Sequence, residues 1–321
     1  MSVWSRRRAA DAVACLALSL GLASCGDTGA APAPSRTPAP APEVVLTDED
    51  REVWARLPPD RSQVPVLLYH GVAPANEFSD EADAGYGIDP DDFAKQMTLL
   101  HHAGFRTITL DEFVGFVQGE RVELPPRPLL LTFDDGRADS WTGGDGILGE
   151  LGYNAVMFVD AGRVEDGDDE YLTWDELVGL ERDGRWELQL HSGEGHRQIR
   201  YGPGEDDYGP FYAYRKEGES HVDWRERAFT DIEWGAERLA ENVEGATPLA
   251  FAPPYGNYGQ EGTNDPRIPE ELLAWLLDRY AVVFTQDRSG FARPGRENPF
   301  GRFQVARSTT GGELHAQVAG G

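Results

Sequence analysis

The sequence predicts an α/β fold built as a barrel, and three observations carry that expectation. At 321 residues the chain is long enough for one large domain of the barrel class. From Val64 onward, short apolar runs rich in β-branched and aromatic residues alternate with amphipathic helical stretches, as in βα units around a parallel sheet. Roughly seven or eight such units fit the remaining length, which suits a closed or nearly closed ring; a doubly wound open sheet is the alternative at this level.

Taken in order, the expected strands are Val64–Tyr69, Arg106–Thr109, Leu129–Phe133, Ala155–Val159, Glu187–Leu190, Leu249–Ala252, Ala281–Thr285 and Phe303–Ala306. Helical periodicity lies between them over Pro90–Ala103, Leu110–Val117, Ser140–Leu151, Trp174–Glu181, Arg225–Asn242 and Pro269–Leu277. Ahead of the barrel, residues 44–62 form an extension with a short helix capped by Thr47 and broken by Pro58-Pro59. Residues 311–321 read as a polar tail.

The first 25 residues read as a targeting segment. Arg6, Arg7 and Arg8 precede an apolar stretch, Ala12 to Ala23, too short for a comfortable permanent span. The stretch ends in Leu22-Ala23-Ser24-Cys25, which resembles the lipobox of bacterial lipoproteins, so Cys25 is the expected lipidation site. That resemblance implies an exported protein, lipid-anchored to the outer face of the cell membrane. The two cysteines are Cys15 and Cys25, so processing leaves no pair to oxidise. Residues 26–43 are almost wholly Ala, Pro, Gly, Ser and Thr, a semi-extended tether by composition.

The formal charge is −27, and loss of three Arg and one Asp with residues 1–24 moves it to −29. So acidic a surface argues against nucleic acid and against adhesion to anionic lipid. It suits a cationic polymer, or serves solvation alone.

Three groups of residues carry chemistry. Asp134, Asp135 and Gly136 directly follow the apolar run Leu129 to Phe133, so two carboxylates project where that strand ends. Such like charges are relieved by a metal ion or a shared proton, although Asp-Asp-Gly is also good turn chemistry. His191-Ser192-Gly193-Glu194-Gly195-His196 follows another strand, and two imidazoles in a glycine-containing loop can turn toward one ion. Phe251-Ala252-Pro253-Pro254-Tyr255-Gly256-Asn257 ends a third strand as a rigid turn.

In this order, Thr132-Phe133-Asp134-Asp135-Gly136, the His191 and His196 pair and Pro253-Pro254-Tyr255-Gly256 resemble the successive motifs of the polysaccharide deacetylases, the family 4 carbohydrate esterases with NodB homology. The resemblance implies a distorted (β/α)7 barrel over about residues 63–310. It implies Asp134 as general base and Asp135, His191 and His196 as ligands of a divalent metal, zinc first, with cobalt, nickel or iron as alternatives. By the same likeness Tyr255, with Gly256 beside it, offers a backbone N–H to the oxyanion and lines the sugar subsite. The implied activity is hydrolysis of N-acetyl groups from an N-acetylglucosamine-containing polysaccharide at the cell surface or outside the cell.

The chain departs from that pattern in three places. Ala252 stands where many members carry an Arg that braces the base, the histidines are five apart rather than four, and Val305-Ala306-Arg307 replaces a Leu-x-His whose His is the general acid. These departures, with Val66-Leu67-Leu68-Tyr69-His70-Gly71-Val72, resemble the branch that acts on β-1,6-linked poly-N-acetylglucosamine. His70 is then an accessory candidate at the barrel mouth or an inward structural imidazole; Arg307 is a second candidate, able to stabilise charge but not to give up a proton readily. His315, in the polar tail, is expected in solvent. The aromatic insertion with Tyr201, Tyr208, Phe211, Tyr212 and Tyr214 either stacks on sugar rings or packs on the barrel wall. Two other functions compete: a non-catalytic sugar-binding lipoprotein, and an amidohydrolase of small nitrogen compounds.

Overall fold

A computed structural model describes residues 36–79, 81–295 and 298–319. In chain order its elements are α1 (Asp48–Val53), β1 (Val64–Tyr69), α2 (Glu81–Tyr86), α3 (Pro90–Ala103), β2 (Arg106–Thr107), α4 (Leu110–Val117), β3 (Pro128–Phe133) and α5 (Ala138–Leu151). There follow β4 (Ala155–Asp160), α6 (Ala161–Asp166), α7 (Trp174–Asp183), β5 (Trp186–Ser192), the small hairpin β6 (Gln198–Arg200) and β7 (Tyr208–Pro210), and α8 (His221–Asn242). The last are β8 (Ala250–Phe251), α9 (Ile268–Leu277), β9 (Val282–Thr285), β10 (Phe291–Ala292), β11 (Phe300–Gly301), β12 (Phe303–Gln304) and α10 (Gly311–Ala319). Helix starts follow side-chain chemistry: Thr109, Thr173 and Ser220 each form a reciprocal capping box with the acid three residues on.

Parallel pairing runs β1-β3-β4-β5-β8-β9-β11, and β12 returns to pair with β1. The short segment 300–304 therefore closes the ring: Phe300 lies opposite Phe284 of β9, and Phe303 opposite Leu67 of β1. This is the distorted (β/α)7 barrel that the motifs implied, not a doubly wound open sheet.

Side chains on successive strand residues face opposite ways. Val66, Leu130, Val156, Phe158, Ala250, Val282, Phe284 and Phe300 fill one apolar cluster. The alternate positions Leu67, Leu129, Leu131, Phe133, Met157 and Leu188 pack in another with α3, α5 and α7. Parity then sets the site: Asp134 extends the row of Leu130 and Thr132, Asp160 that of Val156 and Phe158, and His191 that of Glu187 and Gln189.

Two segments differ from expectation. Residues 36–43, read as the end of a tether, are docked on the domain. The Arg36 guanidinium bonds Glu176 (2.7 Å) and the carbonyl of Asp169 (2.6 Å), and the Ala39 N–H donates to the Thr142 carbonyl (2.8 Å). Gly146 makes room for this strand of chain, since a Cβ there would overlap the backbone at Ala39 and Ala41. The polar tail is also corrected. Its residues 311–319 form α10, which buries Leu314 and Val318, and His315 packs edge-on against Trp54 at 4.9 Å instead of standing in solvent. Here two apolar residues four apart outweigh a polar composition.

Candidate active site

At the end of β3, Asp134 continues inward and its N–H bonds the Tyr69 carbonyl (3.0 Å). Asp135 then takes a left-handed conformation (φ 76°) and Gly136 follows at φ 73°, which turns the second carboxylate back toward the same cavity. The other non-glycine residue with positive φ among those described is Tyr255 (φ 62°), on the turn after β8. Both strained positions therefore lie in the predicted motifs.

His191 is buried near the end of β5. Its Nδ1 lies 2.6 Å from the Ala252 carbonyl, which can only accept, so Nδ1 carries the hydrogen and Nε2 faces Asp135 Oδ1 at 3.3 Å. His196 returns from the following turn with Nε2 3.5 Å from the same oxygen. That turn is held from behind: the N–H groups of Gly193 and Glu194 bond Asp231 of α8 (3.2 and 2.9 Å), to which the Tyr212 hydroxyl also donates. The five-residue spacing is thus accommodated by a buttressed loop.

The three ligand atoms of Asp135, His191 and His196 lie within 4.8 Å of one another. Asp135 Oδ1 is buried and accepts no hydrogen bond, although two imidazole nitrogens face it. A cation resolves that arrangement, and two nitrogens with one carboxylate oxygen make a donor set suited to a divalent transition metal. Burial lowers the His196 pKa to about 4 against the pull of Asp135, which keeps the imidazole neutral and able to donate its lone pair. For Asp135, burial works upward, but the two imidazoles outweigh it and hold the carboxyl far below the usual carboxylate range.

Asp134 is 2% exposed, and its two oxygens are gripped by the two terminal nitrogens of Arg302 at 2.5 and 2.7 Å. Burial pushes its carboxyl up, but the Arg302 charge and bonds and the nearby imidazoles leave it below the ordinary range. Arg302 itself is fully buried between the rings of Phe158 and Phe284 (5.3 and 5.9 Å). It braces Asp134 from 168 positions along the chain, where position 252 carries Ala.

The open side is a cavity of about 350 Å³ lined by His70, Asp134, Asp135, His191, His196 and Tyr255. The Tyr255 ring stacks on His196 at 5.0 Å, and Gly256 beside it packs against Gln286. His70 comes in at the end of β1, its Nδ1 buried without a hydrogen-bond partner. Arg307 does not reach this cavity. Its guanidinium bonds the carbonyls of Ala84 (2.8 Å) and Ala73 (3.0 Å), and it lines a separate hollow of about 530 Å³ beside α1 and α3. Cys25 lies outside the described residues.

A family model for polysaccharide deacetylases matches residues 121–265. The chain carries a polysaccharide deacetylase domain. It is 23% identical over 172 residues to YxkH of Bacillus subtilis (strain 168), named a candidate polysaccharide deacetylase; the alignment takes in 51% of this chain and 57% of that one, little more than half of the curated relative's length. Among solved structures, the de-N-acetylase of Aggregatibacter actinomycetemcomitans shares the fold at 18% identity, with a TM-score of 0.67 over 79% of this chain and 99% of that one. IcaB of Ammonifex degensii gives 25% identity and a TM-score of 0.61, over 80% of this chain and 97% of that one.

Two residues of the deacetylase domain escaped the sequence reading. Arg302 stands one place before the expected last strand, although an Arg between Gly301 and Phe303 in an apolar run was a signal. Asp160 ends β4 as Asp134 ends β3, and its N–H donates to the Asp135 carbonyl (3.4 Å). Burial raises its pKa to about 7 despite the nearby His191, and its Oδ1 has no partner. The aromatic insertion divides: Phe211 and Tyr212 are buried, Tyr201 and Tyr214 stack on each other at 4.5 Å, and Tyr208 stands exposed, none of them in the catalytic cavity.

Proposed function

We propose that this protein hydrolyses N-acetyl groups from an N-acetylglucosamine-containing polysaccharide at the cell surface or outside the cell. The observation that carries the reading is Asp134, held by Arg302 beside the Asp135, His191 and His196 cluster in one open cavity. A divalent ion held by Asp135, His191 and His196, zinc first, would supply a Lewis acid for the acetamide carbonyl and lower the pKa of a water.

The chain's own residues do the rest. Asp134, ionised at neutral pH, takes the proton of the water that attacks the carbonyl carbon. The Tyr255 turn directs backbone N–H toward the developing oxyanion, an interaction whose loss costs about 3–4 kcal/mol of barrier. The C–N bond then breaks, and His70, at the same mouth, protonates the departing nitrogen, giving acetate and a free amine. The substrate is a β-1,6-linked poly-N-acetylglucosamine, a reading that rests on the first-strand motif ending in His70-Gly71-Val72. The anchor at Cys25 keeps the exported protein on the outer face of the membrane.

Acetate release from poly-N-acetylglucosamine and from peptidoglycan is the test. Activity on the first that is lost in Asp134→Asn is expected, whereas activity on peptidoglycan alone would reverse the substrate assignment and full activity in the variant would sink the mechanism. Chelation should abolish release and a divalent metal restore it; the metal should also raise the melting temperature of the wild type but not of His196→Ala. Mass spectrometry of the mature N-terminus checks the anchor, which an unmodified residue there would exclude.

A further inference from the structure

Between β1 and α3 the chain makes a strap, described over residues 72–79 and 81–88, that the proposed reaction does not use. It is pinned at both ends: Ala73 N–H bonds the Ile88 carbonyl and Ile88 N–H the Gly71 carbonyl, each at 2.9 Å. Phe78 anchors its middle. That ring lies against Gly71 and Gly87, where any Cβ would overlap it, and under the guanidinium groups of Arg137 (5.2 Å) and Arg307 (5.7 Å). Arg307 also holds the carbonyls of Ala73 and Ala84, and its own N–H bonds that of Gly85 (3.3 Å).

What this anchorage presents is an aromatic ring at the catalytic cavity. Tyr86 ends α2, is 49% exposed and lines the cavity, with its ring 5.4 Å from that of His70. What marks this ring is its place: a half-exposed aromatic face that lines the same cavity as Asp134 and His70 can be covered by a ligand held there. The polar groups around it are the amides of Gln198, Gln286 and Gln304, which suit hydroxyl and acetamide groups. Among the described residues lining the cavity, Arg137 is the guanidinium, and it is engaged by Asp139 (2.8 Å), Asp83 (3.3 Å) and Glu170 (3.6 Å), so carboxylates outnumber it there.

We propose that Tyr86 is the stacking platform for the sugar next to the reacting one, and that with Asp83 it selects uncharged or amine-bearing hexosamine chains over chains carrying carboxylates. This deepens the function proposed above and rests on it. The ring face covers apolar C–H groups of a pyranose, while Asp83 favours an ammonium and disfavours a carboxylate.

The test compares wild type, Tyr86→Ala, Tyr86→Trp and Asp83→Lys with an N-acetylglucosamine hexamer and its carboxymethylated counterpart. Tyr86→Ala should raise KM for the hexamer about tenfold, with kcat changed less than about twofold, and Tyr86→Trp should restore KM. Asp83→Lys should improve relative use of the carboxymethylated hexamer. Calorimetric binding of the hexamer reads the same contact without turnover, so a wild type that binds but releases no acetate overturns the proposed function and leaves this one standing. Unchanged hexamer affinity in Tyr86→Ala, or a Trp variant as impaired as the Ala variant at equal melting temperature, would overturn it.

Discussion

Asp134 has almost no access to water, and the Arg302 guanidinium, helped by the nearby imidazoles, favours its ionised form against that burial. With Arg302 in place its pKa lies below the ordinary range, and a base of that kind loses its function only in strong acid. Arg302→Met leaves the carboxyl to burial, which raises its pKa. The acid limb of the pH–rate profile should therefore move to higher pH, and kcat/KM at neutral pH should fall about 100-fold. Arg302→Lys should recover part of this, because an ammonium keeps the charge but not the two-pronged geometry. A second buried acid gives a separate readout. Glu187 accepts from Leu110 N–H (3.1 Å) and Asn154 (3.2 Å), yet burial lifts its pKa to about 7. The folded state thus holds that proton more tightly than the unfolded chain, and Glu187 makes stability fall as pH rises from about 4.5 toward 7. Melting curves of Glu187→Gln should lack this slope relative to wild type.

Among the elements, the strap is the one whose form depends on distant partners. Its contacts with Arg307 predict that Arg307→Ala speeds amide hydrogen exchange over residues 73–88 while leaving β3 to β5 protected; uniform acceleration would contradict this. The same distance explains what could be read from sequence. Pro90–Ala103 and Leu110–Val117 were legible to the residue, because apolar spacing, Asp89 or Thr109 at the start and Gly104 after the first helix are all local. The grouping of Asp135, His191 and His196 was legible because Asp134-Asp135 and His191 directly follow apolar runs and His196 lies one short glycine-containing turn on. Arg302 was not, since its partner is 168 positions away and it stands just outside the strand that begins at Phe303. Nor was the docking of residues 36–43: alanine and proline indicate an open tether, and partners far along the chain, Thr142, Gly146 and Glu176 among them, turn it into a packed one.

At the scale of the whole molecule, that docked segment sets a boundary for the stable domain. Deletion of residues 1–35 is the reference truncation. Deletion through residue 46 removes the Arg36 contacts and the buried Leu46 side chain, and should lower stability by about 2–3 kcal/mol. Calorimetry on the two truncations decides it. The ring itself closes late in the sequence, through residues 300–304, and Arg302 sits where this segment passes from β9 to β1. Competence and closure are therefore one event. A chain emerging N-terminus first from a ribosome has both carboxylates and both imidazoles in hand long before Arg302 arrives to grip Asp134. In the mechanism proposed above, the base is set only once residues 300–304 are made, so the order of synthesis keeps such a catalyst silent until the ring is shut.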